Sequence, residues 1–80
     1  MTKASDWTIP EADRLAIEAM TPPFDLTVDP SNKDMTYPHC NEWSTGKQCI
    51  TNGGLDVGVI WEERCIDEKG KVTKRFWCQV

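Results

Sequence analysis

The stretch Val57-Gly58-Val59-Ile60-Trp61-Glu62-Glu63-Arg64-Cys65-Ile66-Asp67-Glu68-Lys69-Gly70-Lys71-Val72-Thr73-Lys74-Arg75-Phe76-Trp77-Cys78-Gln79-Val80 decides the fold. It holds two runs rich in β-branched and aromatic residues on either side of Asp67-Glu68-Lys69-Gly70, the pattern of a β-hairpin. Two registers compete for it. Setting Asp67 against Gly70 puts Trp61 opposite Phe76, Val59 opposite Cys78 and Cys65 opposite Val72, with Glu63 facing Lys74. The other face then pairs Glu62 with Arg75 and Ile60 with Trp77, both favourable cross-strand neighbours. Turn chemistry pulls the other way, because Glu68-Lys69-Gly70 suits a three-residue loop closed by a glycine bulge. That loop shifts the pairing by one and scrambles the apolar face. A slip moves a whole face into water, so hydrophobic segregation favours the first register. It assigns Trp61 to the core and Trp77 to the opposite face, beside Arg75 and Gln79.

Working upstream, Lys47 to Thr51 reads as a short strand and Asn52-Gly53-Gly54 as a tight hairpin turn into Val57–Asp67. Cys40, Cys49, Cys65 and Cys78 make an even count with no Cys-x-x-Cys spacing. Neither a structural zinc site nor a redox motif fits, and two disulfides in an oxidising compartment are expected instead. In either register Cys65 and Cys78 are about six residues out of alignment, roughly 20 Å along a strand. A bridge tolerates Cα atoms about 7 Å apart. Excluding that pair also excludes Cys40–Cys49, and two connectivities remain. Pairing across the Asn-Gly turn puts Cys49 near Asp56, only a few residues along from Cys78. A curled sheet then closes Cys49 to Cys78 and leaves Cys40 to tie a loop to Cys65, the connectivity favoured here. Each bridge contributes about 3–4 kcal/mol.

The chain needs that help. Eighty residues have room for one domain, with residues 1–39 as a helical and extended front and 40–80 as the disulfide-tied β core. The expected fold class is small, disulfide-stabilised and mainly β (α+β): an antiparallel curled sheet or sandwich with one short N-terminal helix. That helix is placed at about residues 9–20. Thr8-Ile9-Pro10-Glu11 has the capping-box pattern, Ile9, Ala12, Ala16, Ala19 and Met20 form the apolar stripe, and Pro22-Pro23 ends it. The helix either docks on the sheet or stays a mobile arm. Phe24, Leu26 and Val28 alternate with Asp25, Thr27 and Asp29 as a short strand does, and Pro30–Asp34 reads as a turn.

The net charge is −4, with residues 1–45 acidic and residues 46–80 close to neutral. An acidic chain is a poor partner for nucleic acid, whose phosphates call for a basic surface. No apolar run approaches the ~18 residues of a membrane span, so membrane insertion is not expected. Residues 1–20 lack the basic and apolar regions of a signal peptide. Secretion, with a signal peptide already removed, is the expectation set by the cysteines.

No catalytic motif emerges. His39 has only the loop residues Ser44 and Thr45 nearby, and adjacent His39 and Cys40 rarely face one metal. Glu62 and Glu63 point to opposite faces of a strand and cannot act as one acid–base couple. No cofactor or metal is expected, and an enzyme is not. Four tryptophans exceed what so small a core needs. Trp43, placed in a loop with Asn41 and Glu42, and Trp77, with Arg75 and Glu62 nearby, are the candidate binding residues. Exposed indoles anchor protein interfaces and stack on sugar rings. The edge of a five-stranded sheet offers a further binding route.

In size, expected bridges, β-rich residues 46–80 and lack of a catalytic motif, the chain resembles small cysteine-rich secreted proteins of filamentous fungi, including plant-pathogen effectors. Among these the β-sandwich group of the blast fungus is nearest. Its usual single bridge has a counterpart in Cys40 or Cys49 with Cys65, while the second bridge and the helical front depart from it. The resemblance implies a secreted virulence effector that binds a host protein. Two other functions stay open: a carbohydrate-binding or antimicrobial defence protein using Trp43 and Trp77, and a small protease inhibitor with Asn41–Lys47 as its bait loop.

Overall fold

The computed structural model describes residues 3–26, 28 and 35–80. Its elements are α1 (Glu11–Glu18), β1 (His39–Thr51), a short 3-10 turn at Asn52–Gly54, β2 (Asp56–Ile66) and β3 (Val72–Gln79). The strands form one antiparallel sheet in the order β1-β2-β3. The protein is thus mainly β, with one short helix and two disulfides joining Cys40 to Cys65 and Cys49 to Cys78. Among the described residues the sheet has three strands rather than five. The expected turn at Pro30–Asp34 lies outside the described residues, as do Thr27 and Asp29. Phe24–Leu26 and Val28 are irregular rather than a strand.

Turn chemistry, not hydrophobic segregation, sets the β2–β3 register. Trp61 faces Trp77, Glu62 faces Phe76, Ile60 faces Cys78, Glu63 faces Arg75 and Arg64 faces Lys74. This is the alternative pairing, shifted by one from the favoured one. Its cause sits in the turn. Gly70 takes a φ of 85°, in the left-handed region that glycine reaches freely. The Asp67 carboxylate accepts from the amides of Lys69 at 2.9 Å and Lys71 at 2.8 Å. Asp67 N–H donates to the Lys71 carbonyl at 3.0 Å, so the strands separate only at Glu68-Lys69-Gly70.

β1 is far longer than the expected Lys47–Thr51 strand. It takes in Asn41–Lys47, which was expected to be a loop. Ser44 pairs with Trp61 and Gln48 with Val59, so Thr45, Gly46 and Lys47 of β1 lie opposite Ile60 alone in β2. Gly46, at φ 77°, turns the chain through this bulge. The Thr45 hydroxyl stitches it, donating to the Ile60 carbonyl at 2.7 Å and accepting from Lys47 N–H at 3.2 Å. The tip is also looser than a two-residue turn: Thr51 pairs with Asp56 across Asn52–Leu55.

The sheet has an inner and an outer face. The inner face gathers Trp43, Cys49, Ile60 and Cys78 around Ile17, with Ala4, Trp7, Ile9, Phe24, Phe76 and Val80 packed against them. α1 therefore docks. It docks by Ile17, which is completely buried; of the expected stripe only Ile9, just ahead of the helix, packs against the core, while Ala12, Ala16, Ala19 and Met20 are exposed. The capping box does not form either. Pro10 is the N-cap with no side-chain bond, and Glu11 pairs forward with Arg14. Arg14 also bonds Glu18 at 2.8 Å.

Residues 3–6 strap the two edge strands together. Lys3 pairs with Gln79, and Ala4 N–H donates to the Cys78 carbonyl at 2.9 Å. Two residues on, the Asp6 carboxylate accepts from the Thr51 hydroxyl and from Asn52 N–H. Cys49–Cys78 closes the same end from inside, with Cα atoms 6.0 Å apart although β2 lies between the strands. Neighbouring strands alone are about 4.8 Å apart, so strands one removed reach this distance only in a tightly curled sheet.

Candidate functional site

The four residues expected to bind separate onto two faces. Trp43 and Glu62 are directly opposite each other on the inner face. Trp43 is a buried strand residue, not an exposed loop anchor. Its Nε1–H donates to Glu62 Oε1 at 2.7 Å, and Arg64 Nε donates to the same oxygen at 2.6 Å. Glu62 is fully buried, and its Oε2 has no hydrogen-bond partner. A buried carboxylate costs a great deal unless it is paired. Trp43 and Arg64 supply the pairing that lets this strand turn a glutamate inward.

Trp77 and Arg75 lie on the outer face, brought together with Trp61 and Glu63 by the observed register. Trp61 is half-buried on this face rather than in the core, and shares it with Trp77. The two indoles stack with centroids 6.4 Å apart and planes 19° apart. Lys3 Nζ lies 4.1 Å from the Trp77 ring centroid, a cation–π contact that helps to bury Trp77. Arg75 approaches Glu63 at 3.9 Å and is otherwise exposed.

The most exposed aliphatic side chains lie elsewhere, at the β1–β2 tip. Ile50 and Val57 are cross-strand partners on the outer face, 56 % and 59 % exposed, and Leu55 in the turn is 82 % exposed. Sequence reasoning passed over these three while following the tryptophans. The available signal was alternation: Ile50 falls between Cys49 and Thr51, both inward, so it has to point outward.

Two concave regions flank the sheet. One, of about 220 Å³, is lined by Thr21, Pro22, Phe24, Leu26, Arg64 and Val72, with Asp25 at its side. The other, of about 430 Å³, lies under the strap between Lys3–Asp6 and Thr51, Asn52 and Asp56. Within it Asp6 is held below the usual carboxylate range, first by the Thr51 hydroxyl and then by Asn52 N–H. Arg14 is raised above its ordinary value by Glu11 and Glu18. Cys40, Cys65 and Glu63 cluster closely, but both sulfurs are spent in the Cys40–Cys65 bridge and offer no thiolate to a metal. Among the described residues no helix is long and apolar enough to cross a membrane.

No protein-family model matches the chain, and no curated protein or solved structure is significantly similar to it.

Proposed function

We propose that this is an extracellular, disulfide-tied binding protein that docks the β1–β2 hairpin tip against a target protein. The observation that carries the reading is the exposure of the cross-strand pair Ile50 and Val57 and of Leu55 in the adjoining turn. Contiguous apolar surface on a small protein marks a contact site. Burying such side chains contributes about 1.5–3 kcal/mol each. Two disulfides in a chain without free cysteine support an oxidising, extracellular setting. Within this class, the resemblance in size, bridges and β content to secreted fungal proteins favours an effector whose target is a host protein.

The test is affinity capture from plant extract with the wild type and with an Ile50→Ser, Leu55→Ser, Val57→Ser variant. The variant is expected to lose a partner that the wild type retains and that mass spectrometry identifies, with both disulfides intact. Equal capture by the two proteins refutes the reading. The stacked Trp61–Trp77 pair, one indole of it half-exposed, favours carbohydrate binding as the second reading. A change in tryptophan emission on titration with chitin oligomers decides that one. The protease-inhibitor reading loses its premise, because Asn41–Lys47 lies in β1 rather than in a loop.

A further inference from the structure

At the other end of β2 from the hairpin tip, the outer edge of β3 combines an open backbone with concentrated positive charge. The Cys78 carbonyl bonds Ala4 and so points away from β2. Strand alternation turns the N–H and C=O of Val72, Lys74 and Phe76 outward with it. Among the described residues only Lys3 and Ala4 pair along this edge, at Gln79 and Cys78. The run Lys69-Gly70-Lys71-Val72-Thr73-Lys74-Arg75 holds four cations and no anion, in a chain of net charge −4.

The charges are poorly compensated. The Arg75 side chain is 75 % exposed, with its nearest carboxylate 3.9 Å away. Lys74 faces Arg64 directly across the ladder, and like charges so placed oppose folding. Arg64 has Glu62 as a counter-ion, whereas none of the described carboxylates pairs with Lys74. Next to Lys74 in the outward-pointing series, Val72 is 45 % exposed and borders the cleft shared with Phe24 and Leu26.

The geometry points to β-strand addition: the β3 edge takes an acidic, extended segment of a partner protein. Main-chain bonds to Val72, Lys74 and Phe76 fix its register. Carboxylates at two successive positions meet Lys74 on one face and Arg75 on the other, because neighbouring side chains of a strand point to opposite faces. An aliphatic residue beyond them packs on Val72 at the mouth of the cleft. Edge lysines also discourage strands from self-pairing, and the two roles differ in how the edge treats an acidic strand.

The probe is a short synthetic peptide of alternating Thr and Val with Glu-Glu at its centre, titrated into the oxidised protein and followed by amide NMR. The expected result is shifted, exchange-protected amides at Val72, Lys74 and Phe76. A Lys-Lys version of the peptide should bind more than about tenfold more weakly. Lys74→Gln should weaken binding a few-fold. Lys74→Pro, which removes an outward N–H and no β2–β3 bond, should abolish it. Equal binding of the two peptides, binding of neither at millimolar concentration, or Lys74→Pro binding as well as Lys74→Gln overturns the inference. So does an oligonucleotide that protects these amides where the acidic peptide does not. If Lys74→Pro fails to fold, exchange protection in the wild type decides alone.

Discussion

Gly58 lies directly beneath the backbone of Gln79: a β-carbon at Gly58 would sit 2.2 Å from the Gln79 carbonyl oxygen and 2.7 Å from a methyl of Val80. The C-terminal end of β3 therefore crosses β2 where β2 has no side chain. That crossing brings Cys78 to Cys49. The obstruction is mostly backbone, which cannot swing aside. Gly58→Ala is expected to destabilise by at least about 1–3 kcal/mol from overpacking, and to slow formation of Cys49–Cys78. Oxidative refolding followed by mass spectrometry checks it. A variant that refolds at the wild-type rate, with the same pairing and midpoint, contradicts it.

The two bridges differ in access. Cys40 is exposed and its partner Cys65 is half-buried on the outer face, while Cys49 and Cys78 are buried in the core. A mild reductant should open Cys40–Cys65 first. Alkylation of partly reduced protein is expected to label Cys40 and Cys65 before Cys49 and Cys78. Removing the inner bridge as Cys49→Ala with Cys78→Ala should lower stability by about 2–5 kcal/mol, measured by chemical denaturation.

Glu62 is expected to be costly to truncate. Glu62→Ala leaves the Trp43 indole N–H and the Arg64 guanidinium without their shared acceptor. Breaking a buried pair in this way costs about 3–5 kcal/mol. Arg64 is 16 % exposed and recovers some hydration, so the lower end of that range is expected. The denaturation midpoint reads it out.

Acid should loosen the strap before the core. The Asp6 carboxyl titrates below its ordinary range in the folded state, chiefly because the Thr51 hydroxyl bonds its charged form. Its contribution is complete above the unfolded value of about 3.9 and fades as pH falls below that value and through the lowered folded one. Exchange at the Ala4 and Asn52 amides should therefore rise as pH drops from 5 to 2, after correction for intrinsic rates. In Asp6→Ala both amides should already be fast at pH 5. A wild type with unchanged protection at pH 2 contradicts this.

The hairpin around Asp67–Gly70 could be read from β-branched and aromatic runs flanking a glycine turn, and the curled sheet from the need to bring Cys49 toward Cys78. The register could not be read from face polarity. Segregation puts Trp61 and Glu63 on the core face, turns Glu62 away from it, and leaves Trp77 outward with nothing to cover it. Glu62 does face inward, because Trp43 and Arg64 receive it, and Trp77 is covered by Lys3, 74 residues away in the chain. Both exceptions depend on partners that only the fold brings near. Local turn chemistry needed no such partners, and it was the better guide. The tip residues Ile50 and Val57 were legible in principle from alternation, once the inward direction of Cys49 was known.

The strap has one more consequence, for handling the molecule. Lys3 pairs with Gln79, and Asp6 bonds Asn52 at the hairpin tip. Lys3 and Val80 therefore lie at the same end of the sheet as Ile50, Leu55 and Val57. A purification tag or fluorescent fusion attached after Val80 would shadow those three residues and mute binding there. A label on the Glu68-Lys69 turn would leave them open and crowd the β3 edge instead, so the two surfaces can be masked separately by where the label is attached.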